Sequence, residues 1–237
     1  PAAIAKAAAA HGCRSIAFTY NDPVIFLEYA VGVARACREV GVRTVAVTAG
    51  YICPEPRAEF FHQMDAANVD LKGFTEDFYQ QLCTASLSDV LDTLVYIKHE
   101  TDCWLEITNL IIPGQNDDPA ELAAMSDWIV ENLGPDVPVH FSAFHPDWKM
   151  MDTPATPHET LAREIALAAG VNYVYTGNVH DKGRQSTYCP NCATRVIGRD
   201  WYELSEWNVA PVGNSGGACA NCGTRLPGVF DAAPGAW

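Results

Sequence analysis

Two Cys-x-x-Cys pairs, Cys189-Pro-Asn-Cys192 and Cys219-Ala-Asn-Cys222-Gly223, stand 26 residues apart (193–218) and carry the most legible chemistry of this 237-residue chain. Each spacing wraps a tight turn around a cation with both thiolates inward, and two such turns supply the four soft ligands that Zn²⁺ or a single iron takes in a tetrahedral site. The same residues also read as two separate redox motifs or as two disulfides, but the paired spacing favours one shared metal site. Four protein thiolates leave no open coordination position, so the expected role is structural, with zinc the first choice of metal and iron the second. The tail, residues 179–237, is then a small zinc-ribbon-like domain, and the main activity has to be sought upstream in residues 1–178.

The composition narrows that activity. Lys and Arg total 15 against 29 Asp and Glu, and a formal net charge of -14 repels a phosphate backbone, so nucleic acid is not an expected partner. No run of about 18 apolar residues is present to span a bilayer, and the Ala-rich start has one lysine and no secretory cleavage pattern. The nine cysteines include five scattered ones, Cys13, Cys37, Cys53, Cys83 and Cys103, which suit a reducing compartment and read as small buried apolar residues. The expected location is cytoplasmic.

The elements that must position any site alternate along the chain. Residues 15–19, 44–48, 67–71, 104–112, 139–144 and 173–176 read as strands. Between them lie helical patterns at 23–40, 54–64, 75–82, 87–99, 119–133 and 157–169, several opening on Pro after a capping residue. Repeated βα units predict an α/β fold with a parallel sheet and helices outside. From Gly177 onward the composition shifts to Cys, Gly, Trp and Pro, which places a domain boundary between 177 and 188.

Each strand of the first domain ends in polar residues: Thr19-Tyr20-Asn21-Asp22, Thr48-Ala49-Gly50-Tyr51, Asp70-Leu71-Lys72, Glu106-Ile107-Thr108-Asn109, and His140 through His145. In (β/α) barrels the loops after the strands build the active site, so such clusters are expected to open on one mouth. Asp22 before Pro23 also reads as a plain helix cap. Asp70 and Lys72, two apart on one strand, share a face, where they either grip a zwitterionic ligand or pair with each other.

The order of the motifs carries a resemblance: Phe18-Thr19-Tyr20-Asn21-Asp22-Pro23 with Glu28-Tyr29, Val69-Asp70-Leu71-Lys72-Gly73-Phe74, Ile111-Ile112-Pro113-Gly114-Gln115-Asn116-Asp117, Phe144-His145-Pro146, Tyr175-Thr176-Gly177-Asn178-Val179, and Ser186-Thr187-Tyr188-Cys189-Pro190. Together they resemble the radical S-adenosylmethionine (SAM) enzymes of the AmmeMemoRadiSam system, relatives of pyruvate formate-lyase activating enzyme. The resemblance implies SAM and a 4Fe-4S cluster as cofactors, a partial (β/α) barrel of the TIM type, and an oxidoreductase that makes a 5′-deoxyadenosyl radical for hydrogen abstraction. By it, Asn21 and Asp22 stand where a Gly-Gly-Glu stretch receives the methionine amino group, with Asp one methylene shorter than Glu. Thr48 matches a threonine at the next strand end, although Ala49 replaces an expected Asn. Asp70 and Lys72 match an Asp-Leu-Lys that holds the methionine and ribose portions, Leu110 an apolar residue beside the adenine, and His145 a histidine near the ribose.

One departure stands out, because the resemblance also implies a Cys-x3-Cys-x2-Cys loop whose thiolates hold the cluster, and no such spacing occurs in the 237 residues. The expectation is a fragment lacking its first βα unit and the cluster ligands, inactive alone; a degenerate barrel serving as a non-catalytic zinc-ribbon interaction module is the alternative. The full enzyme implies an electron donor and either a small-molecule or a protein substrate.

Overall fold

In the computed structural model, which describes residues 1–157 and 163–235, the six expected strands are present to within one residue at each end. They are β1 (Ser15–Phe18), β2 (Arg43–Thr48), β3 (Ala66–Asp70), β4 (Trp104–Ile111), β5 (Val139–Ala143) and β6 (Val174–Gly177). They belong to one sheet in chain order, and the β1/β2, β2/β3, β3/β4 and β5/β6 pairings are parallel. The chain divides into two compact units, Pro1–Asn109 and Leu110–Trp237.

In the first unit the side chains of β3 alternate: Ala67 and Val69 are buried while Asn68 and Asp70 stay half-open. The register sets Asn68 opposite Glu106 and Asp70 opposite Thr108, so polar groups of neighbouring strands share the more open face. The Ala-rich start, outside the expected strands and helices, forms helix α1 (Ala2–Ala10) and buries Ala5 and Ala8. The helix expected over 23–40 is two pieces. A 3-10 turn, Pro23–Phe26, is capped by Asp22, and α2 (Leu27–Glu39) starts only after Phe26 leaves helical geometry at φ -133°. Helix α3 (Pro54–Phe61) stops short of 64. The expected helix at 75–82 is one short turn, α4 (Glu76–Phe78), running into a π-helical turn, Tyr79–Cys83. The Glu76 carboxylate then caps α5 (Leu87–Glu100) from a distance, accepting the amides of Leu87 and Ser88 at 3.2 and 3.1 Å.

In the second unit Asp118 caps α6 (Pro119–Leu133), accepting the amides of Ala120 and Glu121. Thr156 closes the loop that follows β5: its amide donates to Phe144 O, its hydroxyl oxygen accepts Phe144 N at 2.7 Å, and the hydroxyl donates to Ile111 O at 2.6 Å. Of the helix expected over 157–169, α7 (Arg163–Ala168) is seen, and residues 158–162 lie outside the described residues. After α8 (Lys182–Gln185) the tail forms two antiparallel three-stranded sheets. The first holds β7 (Thr187–Tyr188), β8 (Arg195–Asp200) and β9 (Glu203–Trp207); the second holds β10 (Val209–Val212), β11 (Gly216–Cys219) and β12 (Arg225–Leu226). Their small core is Cys189, Val196, Ile197, Val209, Cys219 and Leu226, with Trp207 and Phe230 packed against it. Among the described residues no helix is long and apolar enough to cross a membrane.

Candidate functional site

At the end of β1 the chain turns sharply, with Tyr20 at φ 69° and Asn21 exposed, and Asp22 fastens the turn. Its carboxylate accepts Val24 N at 3.0 Å, the Thr48 hydroxyl at 2.9 and 3.1 Å, and Ala49 N at 2.8 Å. Thr48, buried at the end of β2, in turn accepts Gly50 N at 3.1 Å. The structure therefore joins two of the sequence-predicted residues, Asp22 and Thr48, directly, and most of the acceptor capacity of Asp22 serves this contact.

At the end of β3, Lys72 Nζ meets Asp70 Oδ2 at 2.7 Å, with side chains 38% and 27% exposed. A pair this open contributes at most about 1 kcal/mol, so a ligand with its own ammonium and carboxylate displaces it at little cost. The backbone beneath is held from several sides. Leu71 N donates to Thr108 O at 2.9 Å, and the buried Asn109 amide donates to Leu71 O at 2.6 Å. Lys72 N donates to the hydroxyl of Tyr79, whose pKa burial pushes above its ordinary value. Gly73 fits because a Cβ there would lie 2.6 Å from Phe78 Cδ1. Sequence reasoning missed Tyr79 and gave Gly73 no role of its own, since Gly73 packs against Phe78 of α4 and Tyr79 opens the π-helical turn, an element type found disproportionately at functional sites.

In the second unit Leu110 is half-buried on β4, and His145 is exposed just after β5 beside the Thr156 knot. Of the five scattered cysteines expected to be buried, only Cys37 and Cys103 are; Cys13 and Cys53 are exposed and Cys83 is intermediate. Burial pushes the Cys103 thiol up to about 12.

The four tail cysteines converge, their sulfurs all within 4.8 Å of one another. Cys189 and Cys222 sulfurs are 3.6 Å apart and those of Cys192 and Cys219 3.7 Å, and none of the nine cysteines is in a disulfide. Tetrahedral ligands at about 2.3 Å from one zinc stand ~3.8 Å apart, so the donor set fits a single ion. Cysteines that bind separate irons of a cluster must spread wider than this. Burial holds Cys189 up at about 11, whereas the Thr194 hydroxyl and amide, then the Asn221 amide, bring Cys192 down to about 5. The Thr224 hydroxyl and amide lower Cys222 in the same manner. Among the described residues this is the one convergence of His, Cys, Asp and Glu that fits a metal.

A sheet of parallel strands with half-open polar groups on one face, ending in Asp22, Thr48, Asp70 and Lys72, belongs with a defined class: the chain is a member of the Radical SAM superfamily, which it matches over residues 1–125. Membership makes it part of an enzyme family and implies SAM and a 4Fe-4S cluster. An uncharacterized protein of Methanocaldococcus jannaschii is 40% identical over 201 residues, which cover 84% of this chain and 59% of that protein. The chain thus spans less than two thirds of this relative's length. A domain of pyruvate-formate lyase-activating enzyme from Bacteroides vulgatus superposes with TM-score 0.60 at 16% identity, over 69% of this chain and 98% of that one. A radical SAM methyltransferase from Sphaerobacter thermophilus gives 0.58 at 16% identity, over 73% and 54%. At such identities the likeness shows the fold alone.

Proposed function

We propose that the whole protein to which this chain belongs cleaves SAM reductively and uses the resulting 5′-deoxyadenosyl radical to abstract hydrogen from a substrate, in the manner of the AmmeMemoRadiSam enzymes and the glycyl-radical activases. The hydrogen comes from a small molecule or from a glycine of a partner protein. The carrying observation is the half-open Asp70–Lys72 pair at the end of β3, fixed from below by Tyr79 and Asn109, in a chain that matches the superfamily over residues 1–125. In this reading Asp70 and Lys72 exchange their mutual contact for the methionine ammonium and carboxylate of SAM, and Asn21 and Asp22 add acceptors for the ammonium. Thr48 holds Asp22 in place, and the resemblance alone gives Leu110 to the adenine and His145 to the ribose. The cluster, when bound, supplies the electron for SAM cleavage. No Cys-x3-Cys-x2-Cys occurs in these residues, so turnover is expected from the whole protein and not from the 237-residue chain by itself.

Residues 1–178 are read as a partial barrel and 179–237 as a ribbon closed by one structural Zn²⁺ on Cys189, Cys192, Cys219 and Cys222. A purely non-catalytic module is disfavoured by membership of an enzyme family. The test is anaerobic iron-sulfur reconstitution of the whole protein with a 5′-deoxyadenosine assay. Turnover that Lys72→Ala reduces at least tenfold supports the reading; turnover indifferent to Lys72→Ala and Asp70→Ala removes the SAM roles given to these residues.

A further inference from the structure

The two metal knuckles are copies of one hexapeptide, Cys-x-Asn-Cys-x-Thr, at residues 189–194 and 219–224. Their backbones repeat as well. Cys189 N donates to Thr194 O at 2.9 Å and Cys219 N to Thr224 O at 2.8 Å, while Ala193 and Gly223 take the same left-handed turn at φ 57° and 75°. The asparagine side chains do something a local turn does not require, because each leaves its own knuckle. Asn191 Nδ2 donates to Cys222 Sγ at 3.7 Å, and Asn221 Nδ2 donates to Cys192 Sγ at 3.6 Å, lengths suited to the large sulfur atom. Those same two sulfurs have the threonine hydroxyls of their own knuckles beside them, Thr194 at 3.3 Å and Thr224 at 3.2 Å.

The donors fall on particular sulfurs. Cys189 and Cys219 are each 1% exposed, whereas Cys192 is half-buried and Cys222 exposed. Four thiolates around one divalent cation carry an excess of two negative charges, and the solvent-facing pair is where a proton or a chelator first competes with the metal. A charge-assisted amide donor on each of these two thiolates spreads that charge and occupies a lone pair that a proton would take.

We infer that Asn191 and Asn221 are latches of the metal centre: positioning residues that set how long the ion is retained by bonding the outward thiolate of the opposite knuckle. The inference rests on the proposed zinc reading. Since outer-shell partners typically change metal affinity 10–100-fold, Asn191→Ala or Asn221→Ala should speed zinc release to a chromogenic chelator by about tenfold, with one zinc still bound at the start. Asn191→Asp, which keeps the shape but replaces a donor by a negative charge, should release faster still; Asn191→Gln, which keeps an amide, should stay nearer the wild type. In the cobalt-substituted full chain the thiolate-to-cobalt charge-transfer band should shift in the alanine and aspartate variants. A wild-type chain without stoichiometric metal overturns the zinc reading itself. A wild-type chain with one zinc, and variants that release it at the wild-type rate with an unmoved cobalt band, overturns the latch and leaves the zinc reading standing.

Discussion

The Thr48 hydroxyl donates to the Asp22 carboxylate at 2.9 Å, fastening the turn after β1 to the end of β2. The same carboxylate caps the Pro23–Phe26 turn and holds Ala49 N, so it serves as cap and clamp at once. Asp22→Ala leaves the buried Thr48 hydroxyl and two amides, those of Val24 and Ala49, without their acceptor and should lower unfolding free energy by about 1–3 kcal/mol in urea titration. Asp22→Asn, which retains one acceptor oxygen, should lose less; equal losses for the two variants would show that the contact is not what stabilises the turn.

On the proposed reading Lys72 binds ligand, and Tyr79 supports the backbone beneath it. Replacing Lys72 by Met breaks a half-open ion pair and should change stability by no more than about 1 kcal/mol. It should nevertheless weaken SAM binding by the whole protein about tenfold or more, as loss of a charge-assisted contact does. Tyr79→Phe instead removes the hydroxyl that accepts the Lys72 amide and should reduce stability by about 1–3 kcal/mol, with a smaller effect on SAM. Calorimetric titration of both variants checks the order, which the reverse pattern would refute.

Gly73 sits where a side chain has no room, since its Cβ would come within 2.6 Å of Phe78 and the ring would have to shift with the turn that carries Tyr79. Gly73→Ala should cost about 1–3 kcal/mol, as overpacking of a filled site does. Gly73→Ala with Phe78→Leu should recover part of that loss in thermal unfolding.

Cys103 supplies a pH dependence with a defined sign. Burial first, then the charge of Asp65, raises its folded pKa from 9.0 to about 12, so the fold favours the neutral thiol. That contribution is complete below pH 9 and is lost as pH rises toward about 12. Stability of Cys103→Ala should fall less steeply than wild type between those values, measured by urea titration at successive pH. Alkylation should reach the exposed Cys13 and Cys53 in the native protein and Cys103 only on unfolding.

On the proposed zinc reading, removing the ion should unfold the tail, whose core is only a few apolar residues around Cys189 and Cys219. Hydrogen exchange after chelation should lose protection in β8 and β11 and keep it in β2 and β3; retained protection in β8 would show that the ion is not what closes this domain.

The six strands of the main sheet were legible because short β-rich runs alternate with helical periods, and the cysteine knuckles because spacing alone defines them. What escaped the sequence depended on contacts between distant residues. The break at Phe26 hides inside a continuous helical pattern, and α1 has alanines where a face would show. Residue type did not tell the exposed Cys13 and Cys53 from the buried Cys37 and Cys103. Glu76 as the remote cap of α5, and Tyr79 as support for Lys72, require the fold before they have a role. The tail strands, as short as the two residues of β7 and β12, carry no periodicity to read. The repeated Asn and Thr of the knuckles were in plain view, but their meaning lies in reaching across, which sequence does not display.

Because the two knuckles are chemical duplicates that complete each other, the first of one chain and the second of another offer the same four sulfurs and the same amide donors as a single chain does. Only the tether through residues 195–218 gives the intramolecular pairing its advantage, and that advantage is an effective concentration rather than a better contact. On the proposed zinc reading, crowded chains therefore have a route to exchange knuckles and pair through a shared ion, with the hairpins between the knuckles as hinge.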